Sequence, residues 1–528
     1  MRVTARRAAF IMENLMGAPL RNALLAPFLS MSLLPVAALP QTARIDIKVQ
    51  THSPVHTMRG GLGASWHAIR KEGVYKDSDW DYPARALGAR GSALQGNPPL
   101  ENEKAWQQLY RHASWLGLSW MRVELSQLMY EPERGKFDWE NEEMQALYRI
   151  LSWCQQNNAE VFLQQMWTEV EWNSYPGVHP LISAPRSLPD YADGLATLVD
   201  YLVNKKKFSC IRWVCITNEP PGGTWGYWWT TGSFPCVPVT SGFKAVRAEF
   251  DRRGLRIPIS GPDWTDLPEF DKGKIDFDDY VGAYDIHSYQ GVDAKGEQTL
   301  SRWADWAHSH RKPFFLTEFG NMRLGWQQDN PGPRSFAAAL SNAETILRGL
   351  RAGVDAFNRW SFVNRGDLDG QWQLVRTFDI KSKVYLTEVL PEPVAYYGYG
   401  IITRFLSKYS SRLKDEVLEG GTTSERILSV SMRSPAGNLT TYLLNSSDSP
   451  VEATIRYDEL KKSLDLAVYQ VTEAAISDPG YEMEPSRTVS LAVRDPEMKE
   501  SLPPRSITAV TSYRLRHVDN GIVSDPRR

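Results

Sequence analysis

The chain has 528 residues, of which 42% are hydrophobic and 23% are charged, and its formal net charge is −2. This composition is typical of a globular protein, and the length is too great for one ordinary core, so we expect a large domain plus a smaller module. The charge balance has no basic surplus and therefore favours neither nucleic acid nor an anionic membrane as a partner.

Residues 1–40 have the pattern of an export signal. Four arginines precede an apolar run at 23–39, and Val36, Ala37 and Ala38 offer small side chains for cleavage. Two prolines interrupt this run, which falls short of the roughly 20 apolar residues that span a bilayer. We therefore predict a secreted or periplasmic protein without stable membrane insertion. A membrane anchor is the alternative interpretation.

From residue 60 to about 386, short apolar runs alternate with helical patterns. Helical periodicity occurs at 101–116, 141–158, 188–207, 241–253, 300–310 and 335–352. Runs typical of buried strands occur at 60–66, 118–124, 160–167, 211–216, 257–263, 281–289, 313–318 and 356–363. This alternation predicts a parallel (β/α)8 TIM barrel. A further helical pattern at 392–406 completes a barrel domain that we place at 60–410.

The segments on either side of the barrel have strand patterns. Before it, residues 41–59 contain Arg44–Val49, whose alternation of polar and apolar residues predicts a surface strand that could pair with the C-terminal module. After it, residues 411–528 hold short strand-like runs separated by Gly, Pro, Asn and Ser, at 426–432, 439–444, 451–455, 466–471, 488–493 and 507–513. We expect this part to be an all-β sandwich domain.

Two of the predicted barrel strands end on a carboxylate. The run I-R-W-V-C-I-T stops at Asn218-Glu219, which two prolines follow, and the run P-F-F-L-T stops at Glu318. Catalytic groups of TIM-barrel enzymes lie at the C-terminal ends of the strands, so the two glutamates could face each other across one cleft. Such a pair is what glycoside hydrolysis requires. Asn and Pro also mark the exit from ordinary strands, which is the alternative for Glu219.

Further polar residues fall at or near the ends of predicted strands. Arg122 lies inside the second strand, where burial requires a carboxylate partner, and Glu124 or Glu318 could supply it. His287 and Tyr289 end the sixth strand, and their spacing of two places them on the same face. For Arg122 the structural alternative is a buried ion pair with Glu124.

Other candidates for substrate contact lie in loops or among the many aromatic residues. The sequence has 19 Trp and 22 Tyr, and G-G-T-W-G-Y-W-W follows Glu219. An exposed aromatic loop either packs or binds a ligand, and flat aromatic faces stack on sugar rings, so we expect Trp225 to bind substrate. Trp66, at the end of the first strand, is a second candidate. Glu169 and Glu171 are rival carboxylates that lie in a loop, where we expect contact with substrate or solvent.

No metal or cofactor is predicted. Cys154, Cys210, Cys215 and Cys236 match no zinc or redox spacing. The glycines of G-G-L-G-A-S-W do not form a G-x-G-x-x-G pattern, so no dinucleotide site is expected.

Together these residues resemble clan A of the retaining glycoside hydrolases, a group built on a (β/α)8 barrel. In that clan an Asn-Glu pair ends the fourth strand and supplies the acid/base, and a Glu that ends the seventh strand supplies the nucleophile. The resemblance assigns these roles to Glu219 and Glu318. The clan's second-strand arginine, sixth-strand pair and eighth-strand aromatic floor are matched by Arg122, His287, Tyr289 and Trp360.

The resemblance covers about 60–386, and the C-terminal sandwich is similar to those of families 30, 39 and 51. Gln164 and Gln165 stand where family 5 members usually have a histidine, so a cellulase-like specificity is not expected.

The implied reaction is cleavage of β-glycosidic bonds in an oligo- or polysaccharide by double displacement. Arg122 would keep Glu318 ionised, and the charge of Glu318 would raise the pKa of Glu219. Asn218 would bind the sugar 2-hydroxyl. The alternatives are a secreted carbohydrate-binding barrel without catalysis, and a transglycosylase that uses the same site.

Overall fold

The structure is a computed structural model that describes residues 43–68, 96–178, 180, 183–220, 228, 237–324, 332–363, 372–379, 382, 384–518 and 521–524. The export signal predicted for 1–40 and the substrate contact predicted for Trp225 lie outside the described residues.

The first described strand, β1 (Ala43–Thr57), belongs to the C-terminal sheet, and the next eight form the barrel. These eight are β2 (Leu62–His67), β3 (Trp120–Ser126), β4 (Glu160–Trp167), β5 (Ile211–Cys215), β6 (Ile259–Trp264), β7 (Ala283–Ser288), β8 (Phe314–Phe319) and β9 (Ala356–Arg359). They pair in parallel and in chain order, and β9 pairs with β2 to close the barrel. The predicted TIM barrel is confirmed.

Helices follow the strands and cover the outside of the barrel. They are α1 (Glu103–Trp115), α2 (Gln127–Tyr130), α3 (Glu142–Gln156), α4 (Leu188–Asp200), α5 (Val239–Arg252), α6 (Ala294–Ser309), α7 (Phe336–Ala352) and α8 (Pro393–Thr403). Five begin where a side-chain oxygen accepts a backbone N–H, at Asn102, Asn141, Ser187, Asp293 and Ser335. Among the described helices, none is long and apolar enough to cross a membrane.

The lumen of the barrel changes from apolar to polar along its axis. Near the N-terminal ends of the strands it is filled by Trp120, Phe162, Cys215, Ala283, Phe315 and Ala356. Side chains two residues further along a strand share the same face. The same faces therefore continue with Arg122, Gln164, Thr217, Asp285, Thr317 and Asn358. The apolar layer forms the floor of a polar site at the C-terminal end of the barrel.

Two β-bulges modify this alternation beside the site. The β6–β7 pairing skips Asp263, and the β7–β8 pairing skips Thr317. A bulge bends its strand and re-aims the neighbouring side chains. As a result, the adjacent residues Thr317 and Glu318 both contribute side chains to the polar end of the barrel, where the Thr317 hydroxyl donates to Asp263 Oδ1 at 2.8 Å.

The C-terminal domain is mostly β. Its strands are β12 (Ser411–Glu419), β13 (Thr422–Thr423), β14 (Leu428–Arg433), β15 (Leu439–Asn445), β16 (Val451–Asp458), β17 (Leu464–Thr472), β18 (Arg487–Leu491), β19 (Glu497–Leu502) and β20 (Ser506–Thr511), with the short helix α9 (Glu473–Ile476) after β17. Two separate antiparallel pairs are β10 (Val375–Asp379) with β11 (Val384–Pro391), and β21 (Leu515–Val518) with β22 (Gly521–Ser524).

β1 is an internal strand of the C-terminal sheet. The sheet follows the order β18-β17-β20-β15-β14-β12-β1-β16-β19, with β13 attached to β12. Leu491 in β18 and Met498 in β19 belong to the same apolar cluster as Ile47 in β1. The strands therefore form one continuous hydrogen-bonded sheet that packs around a single apolar core. The predicted all-β module is confirmed, but its strands form this continuous path.

The barrel and the C-terminal sheet share an apolar boundary around α8. The hydroxyl of Tyr442 donates to the carbonyl of Ile402 at 2.9 Å, and Thr440 Oγ1 donates to the carbonyl of Phe405 at 3.1 Å. The rings of Phe405 and Tyr469 lie 4.5 Å apart between centroids. One continuous cluster of buried apolar residues includes members of both parts, so the two parts pack as one unit.

Candidate active site

The two glutamates that the sequence placed at strand ends meet at the C-terminal end of the barrel. Glu318 is the fifth residue of β8, and Glu219 follows the end of β5 by four residues. One carboxylate oxygen of each, together with a ring nitrogen of His287, lie within 4.8 Å of one another. The Glu219 side chain is 13% exposed and that of Glu318 is 5% exposed, so Glu219 is the more accessible carboxylate.

Glu219 stands on a turn that fixes its position. Its φ of 49° lies in the left-handed region, a conformation that costs about 1–3 kcal/mol for residues other than glycine and that clusters at functional sites. The backbone N–H of Glu219 donates to the carbonyl of Asp263 at 3.0 Å, and Oε1 lies 2.8 Å from His287 Nδ1. Asn218, directly before it, is buried and accepts a hydrogen bond from Arg122 Nη2 at 3.0 Å.

Two hydrogen-bond donors converge on Glu318. Arg122 Nη1 donates to Oε1, and the Tyr289 hydroxyl donates to Oε2 at 2.6 Å. Burial and the charge of Glu318 raise the pKa of Tyr289 well above its usual value, so Tyr289 keeps its proton at neutral pH. Donors on both oxygens hold the Glu318 carboxylate in one orientation.

Arg122 is fully buried and links three carboxylates. Its guanidinium contacts Glu124 and Glu318 through Nη1 and lies 3.3 Å from Asp263 Oδ2 through Nη2. Burial alone would lower the pKa of Arg122, but these carboxylates outweigh it and raise the pKa. The sequence left Glu124 and Glu318 as alternative partners, and the structure uses both.

The pKa of Glu318 reflects its burial and the charges of its neighbours. Burial raises the pKa of Glu318 to about 7, and the charges of Glu219 and Glu124 add to the rise, whereas Arg122 and His287 oppose it. The carboxylate therefore changes its charge near neutral pH. The sequence did not predict this raised pKa of Glu318, because burial of the carboxylate is visible only in the structure.

A second set of buried polar groups, centred on Asp263, lies next to the two glutamates. The sequence did not identify Asp263 as part of the site. Asp263 accepts hydrogen bonds from His287 Nε2 at 2.9 Å, from Thr317 at 2.8 Å and from Gln164 Nε2 at 2.6 Å. Burial would raise the pKa of Asp263, but His287 and Arg122 outweigh it and hold the pKa at about 2. Asp263 is therefore ionised at neutral pH and accepts hydrogen bonds from these three side chains.

The neighbouring Asp285 has the opposite protonation state. Its Oδ1 accepts the backbone N–H of Asp263 at 2.6 Å, and its Oδ2 contacts the hydroxyl of Ser260. Burial, together with the charge of Asp263, raises the pKa of Asp285 to about 8. Asp285 is therefore mostly neutral at pH 7.

Aromatic side chains border the carboxylates. Trp360 directly follows β9, and its ring lies 4.9 Å from the ring of His67 and 5.8 Å from the guanidinium of Arg122. Trp372, which the sequence did not identify, packs on the position of Gly320 and lies 5.7 Å from the ring of Tyr289. Trp360 thus lies beside Arg122, and Trp372 lies beside Tyr289.

Trp66 is a core residue and not a wall of the cleft, which corrects its predicted place. Its side chain is fully buried, its indole N–H donates to Asn97 at 2.9 Å, and it packs against Trp153 and Phe362. Alternation along β2 turns Trp66 outward and His67 inward. His67 contacts Glu124, the carboxylate that Arg122 also contacts.

The rival carboxylates do not join this cluster. Glu169 is buried with a φ of 55°, and Glu171 is exposed. Of the four glutamates that the sequence proposed as candidates, Glu219 and Glu318 are therefore the two that approach each other.

Three groups in the described ranges have the residue types of a metal site. They are Glu219–His287–Glu318, Cys215–Asp263–Asp285 and His56–His308–Asp355. In the first group, both oxygens of Glu318 already accept hydrogen bonds, one of them from the cationic Arg122. A cation there would compete with a fixed guanidinium charge, so this donor set fits carboxylate chemistry better than metal binding.

The parallel barrel with an attached β domain is a fold that this chain shares with solved structures of glycoside hydrolases. No family model and no curated protein matches the sequence. Solved structures of glycoside hydrolase families 30 and 39 match the fold of this chain.

Three of these structures illustrate the likeness. A family 30 endoxylanase from Clostridium papyrosolvens C71 gives a TM-score of 0.59 at 13% identity, over 88% of this chain and 99% of that one. An endo-β1,6-glucanase gives 0.59 at 13% identity, over 90% and 94% of the two chains. A family 39 β-xylosidase from Caulobacter crescentus gives 0.57 at 13% identity, over 88% and 99%. The fold is shared with these enzymes.

Proposed function

We propose that this chain is a retaining glycoside hydrolase that cleaves β-glycosidic bonds of an oligo- or polysaccharide. The observation that carries the proposal is the approach of Glu219 and Glu318, with oxygens within 4.8 Å of each other. Retaining enzymes separate their two carboxyl groups by about 5–5.5 Å, whereas inverting enzymes leave about 6.5–9.5 Å for a water molecule. The short distance between the Glu219 and Glu318 oxygens supports double displacement rather than an inverting mechanism.

In the first step Glu318 attacks the anomeric carbon. A bond forms between a Glu318 oxygen and that carbon, while the bond to the leaving oxygen breaks and its electron pair stays on the oxygen. Glu219 donates its proton to the same oxygen. Arg122 and Tyr289 hold Glu318 in the attacking orientation, which supports the assignment of Glu318 as the nucleophile.

In the second step water replaces Glu318. Glu219, now ionised, removes a proton from water, and the hydroxyl attacks the anomeric carbon from the face that the leaving group occupied. The bond between that carbon and the Glu318 oxygen breaks, and its electron pair returns to the Glu318 carboxylate. Once the ester has formed, Glu318 carries no charge, so the repulsion that opposed ionisation of Glu219 is gone. Asn218 is held by Arg122 beside this position and would bind the sugar 2-hydroxyl, with Trp360 below the ring.

The substrate is proposed to be a carbohydrate of the kind that the structural neighbours act on, in a protein exported from the cell. Their names include xylan-, xyloside- and β1,6-glucan-cleaving enzymes. A screen of aryl β-glycosides, xylans and β-glucans therefore tests the substrate class directly. The β domain would act as a stabilising module or as an additional sugar-binding one.

The decisive variant is Glu318→Ala. We expect turnover to fall by about 10⁴-fold or more, because the covalent step is lost. Circular dichroism and the melting temperature control for folding, and Glu452→Ala, which changes an exposed carboxylate on β16 of the C-terminal domain, is the matched control. Wild-type turnover in Glu318→Ala would disprove the mechanism.

The stereochemical outcome tests double displacement independently. Proton NMR of an early time point identifies the anomer that is first released, and we expect it to be β. Release of the α-anomer would assign an inverting mechanism. Two other functions are alternatives to hydrolysis. A non-catalytic carbohydrate-binding barrel would bind sugars without turnover. A transglycosylase would give longer products when acceptor sugar is added.

A further inference from the structure

His287 lies between two carboxylates at the active site. Its Nε2 is 2.9 Å from Asp263 Oδ1, and its Nδ1 is 2.8 Å from Glu219 Oε1 and 3.5 Å from Glu318 Oε2. The ring is fully buried. Every proton that His287 gains or loses therefore changes a direct contact with the machinery of the proposed reaction.

Asp263 fixes one end of this imidazole. The hydroxyl of Thr317 donates to Asp263 Oδ1, and Gln164 Nε2 and Arg122 Nη2 approach Oδ2 at 2.6 Å and 3.3 Å. An ionised carboxylate only accepts hydrogen bonds, so Nε2 of His287 must carry a hydrogen. The remaining choice concerns Nδ1, which either donates to Glu219 or accepts from it.

That choice decides what Glu219 can do. If His287 is neutral, Nδ1 accepts the acidic proton of Glu219, and this proton is directed away from the leaving group. If His287 is an imidazolium, Nδ1–H donates to Oε1 of Glu219, and the acidic proton resides on Oε2. Only the second arrangement leaves the acid free to protonate the glycosidic oxygen.

The charges around the ring favour the imidazolium. Burial alone would lower the pKa of His287, but Asp263 and Glu318 outweigh it and raise the pKa well above its ordinary value. The ionisable groups that face His287 or its two carboxylate partners from the surrounding strands and loops are Glu219, Glu318, Asp263, Asp266, Tyr289, Arg122, Cys215 and Asp285.

We propose that Asp263 is a positioning residue that keeps His287 doubly protonated and thereby directs the acidic proton of Glu219 toward the leaving group. Its effect on the reaction rests on the proposed function, whereas the protonation state of His287 does not. Asp263 also contacts Arg122 at 3.3 Å, so the protonation state of His287 and the leaving-group dependence of the rate are the readouts that isolate its action through the ring.

Two adjacent aspartates provide a matched test. Asp263→Asn removes a charge but keeps the shape, whereas Asp285→Asn replaces a carboxyl that is mostly neutral at pH 7, because its pKa is about 8. We expect Asp263→Asn to lower kcat/KM by about 100-fold or more on substrates with poor leaving groups. The loss should be much smaller on activated aryl glycosides, which need little protonation. Asp285→Asn leaves the charge of Asp263 in place, so it should not reproduce this leaving-group dependence; a similar leaving-group dependence in both variants would overturn the proposal.

The protonation state is measured without any turnover. In protein with ¹⁵N-labelled histidine, both ring nitrogens of His287 should carry hydrogens between about pH 5 and 8, and one should lose its hydrogen in that range in Asp263→Asn. The resonance is assigned by its loss in His287→Gln. A singly protonated His287 in the wild-type protein overturns the inference. A doubly protonated His287 in a protein without glycosidase activity would instead refute the proposed function alone.

Thr317→Val separates charge from hydrogen bonding. This variant removes a donor to Asp263 Oδ1 and leaves the charge in place. We expect His287 to remain doubly protonated, although the rate can fall. If Thr317→Val and Asp263→Asn gave the same loss of the His287 proton, the charge of Asp263 would not be the cause.

Discussion

At the scale of single residues, the site is defined by which carboxylates carry charge. Asp263 is ionised, Asp285 is mostly neutral at pH 7, and the pKa of Glu318 is raised to about 7. These differences arise from neighbours, since all three groups are buried. Arg122 and His287 stabilise the charge of Asp263, whereas at Asp285 burial and the negative charge of Asp263 outweigh the opposing effect of His287.

The pH dependence that we expect for the proposed glycosidase reaction follows from Glu318. Attack requires the ionised form, so kcat/KM should fall as the pH drops through about 7. Tyr289→Phe removes a donor that stabilises the ionised form, which raises the pKa of Glu318. A hydrogen bond to a charged group contributes about 1.5–3 kcal/mol. In Tyr289→Phe, the fall of kcat/KM on the acidic side of the pH profile should therefore move to a pH roughly 1–2 units higher.

The comparison for this prediction is Tyr397→Phe. Tyr397 donates to the carbonyl of Tyr481, away from the barrel strand ends. Its profile should superimpose on that of the wild type. An acidic limb that stays in place in Tyr289→Phe would show that the Tyr289 hydroxyl does not stabilise the charge of Glu318.

At the scale of secondary structure, the sequence predicted the barrel strands within about four residues and most of the helices within about three, because apolar runs and helical periodicity are local signals. It placed the start of α6 six residues too late and the end of α4 seven residues too late, and it did not predict α2. It also identified Glu219, Glu318, Arg122, His287 and Tyr289, which lie at or close to strand ends. The bulges at Asp263 and Thr317 were not predictable, since a bulge is a property of the pairing between two strands. The roles of these two residues therefore emerged only from the structure.

Trp66 illustrates the same limit. Its position next to His67 at a strand end gave no signal for which of the two faces the lumen, because a shift of one residue exchanges the faces of a strand. The hairpin of β10 and β11 was also missed, and so was β19, whose alternation of charged and apolar residues falls between two predicted strands.

A buried aspartate joins β1 to the base of the barrel. Asp355 accepts the backbone N–H groups of Arg59 and Phe314, both at 2.9 Å, and contacts His308 at 2.8 Å and His56 at 3.2 Å. Burial would raise the pKa of Asp355, but the two histidines and the backbone donor outweigh it and hold the pKa below its usual value. The carboxylate thus contributes stability at pH values above its pKa in the unfolded chain.

Asp355→Asn should lower the free energy of unfolding by about 2–3 kcal/mol at pH 7, because buried donors lose a charged acceptor. A depressed pKa means that this contribution is lost as the pH falls, so the difference from the wild type should shrink below about pH 4. Urea unfolding across a pH series measures it. Asp305→Asn, on the exposed side of α6, is the control. A difference that stays constant with pH would contradict the assignment.

At the scale of the whole molecule, the strand β1 makes the barrel and the β domain interdependent. Ile45, Ile47 and Val49 are almost fully buried in the core of the C-terminal sheet. β1 pairs with β12 on one side and β16 on the other. Removing it would expose two strand edges and an apolar core.

Deletion of residues 1–57 tests this dependence. Each of the three buried side chains contributes roughly 2 kcal/mol, so the loss is comparable to the total stability of many domains. We expect an aggregating protein without a cooperative unfolding transition. A variant that lacks only residues 1–42 retains β1 and is the matched reference. A soluble, cooperatively unfolding protein without β1 would mean that the remaining sheet is stable by itself.

The place of β1 in the sheet also sets an order of events during synthesis. Thr57 meets Ser411 across a separation of 354 positions, so this segment leaves the ribosome long before its neighbours exist. It has to stay unpaired while the barrel is being made. Such distant pairing is associated with slow acquisition of the native state and with exposure to misassembly. The nascent chain must therefore keep β1 from aggregating until the C-terminal strands have been synthesised.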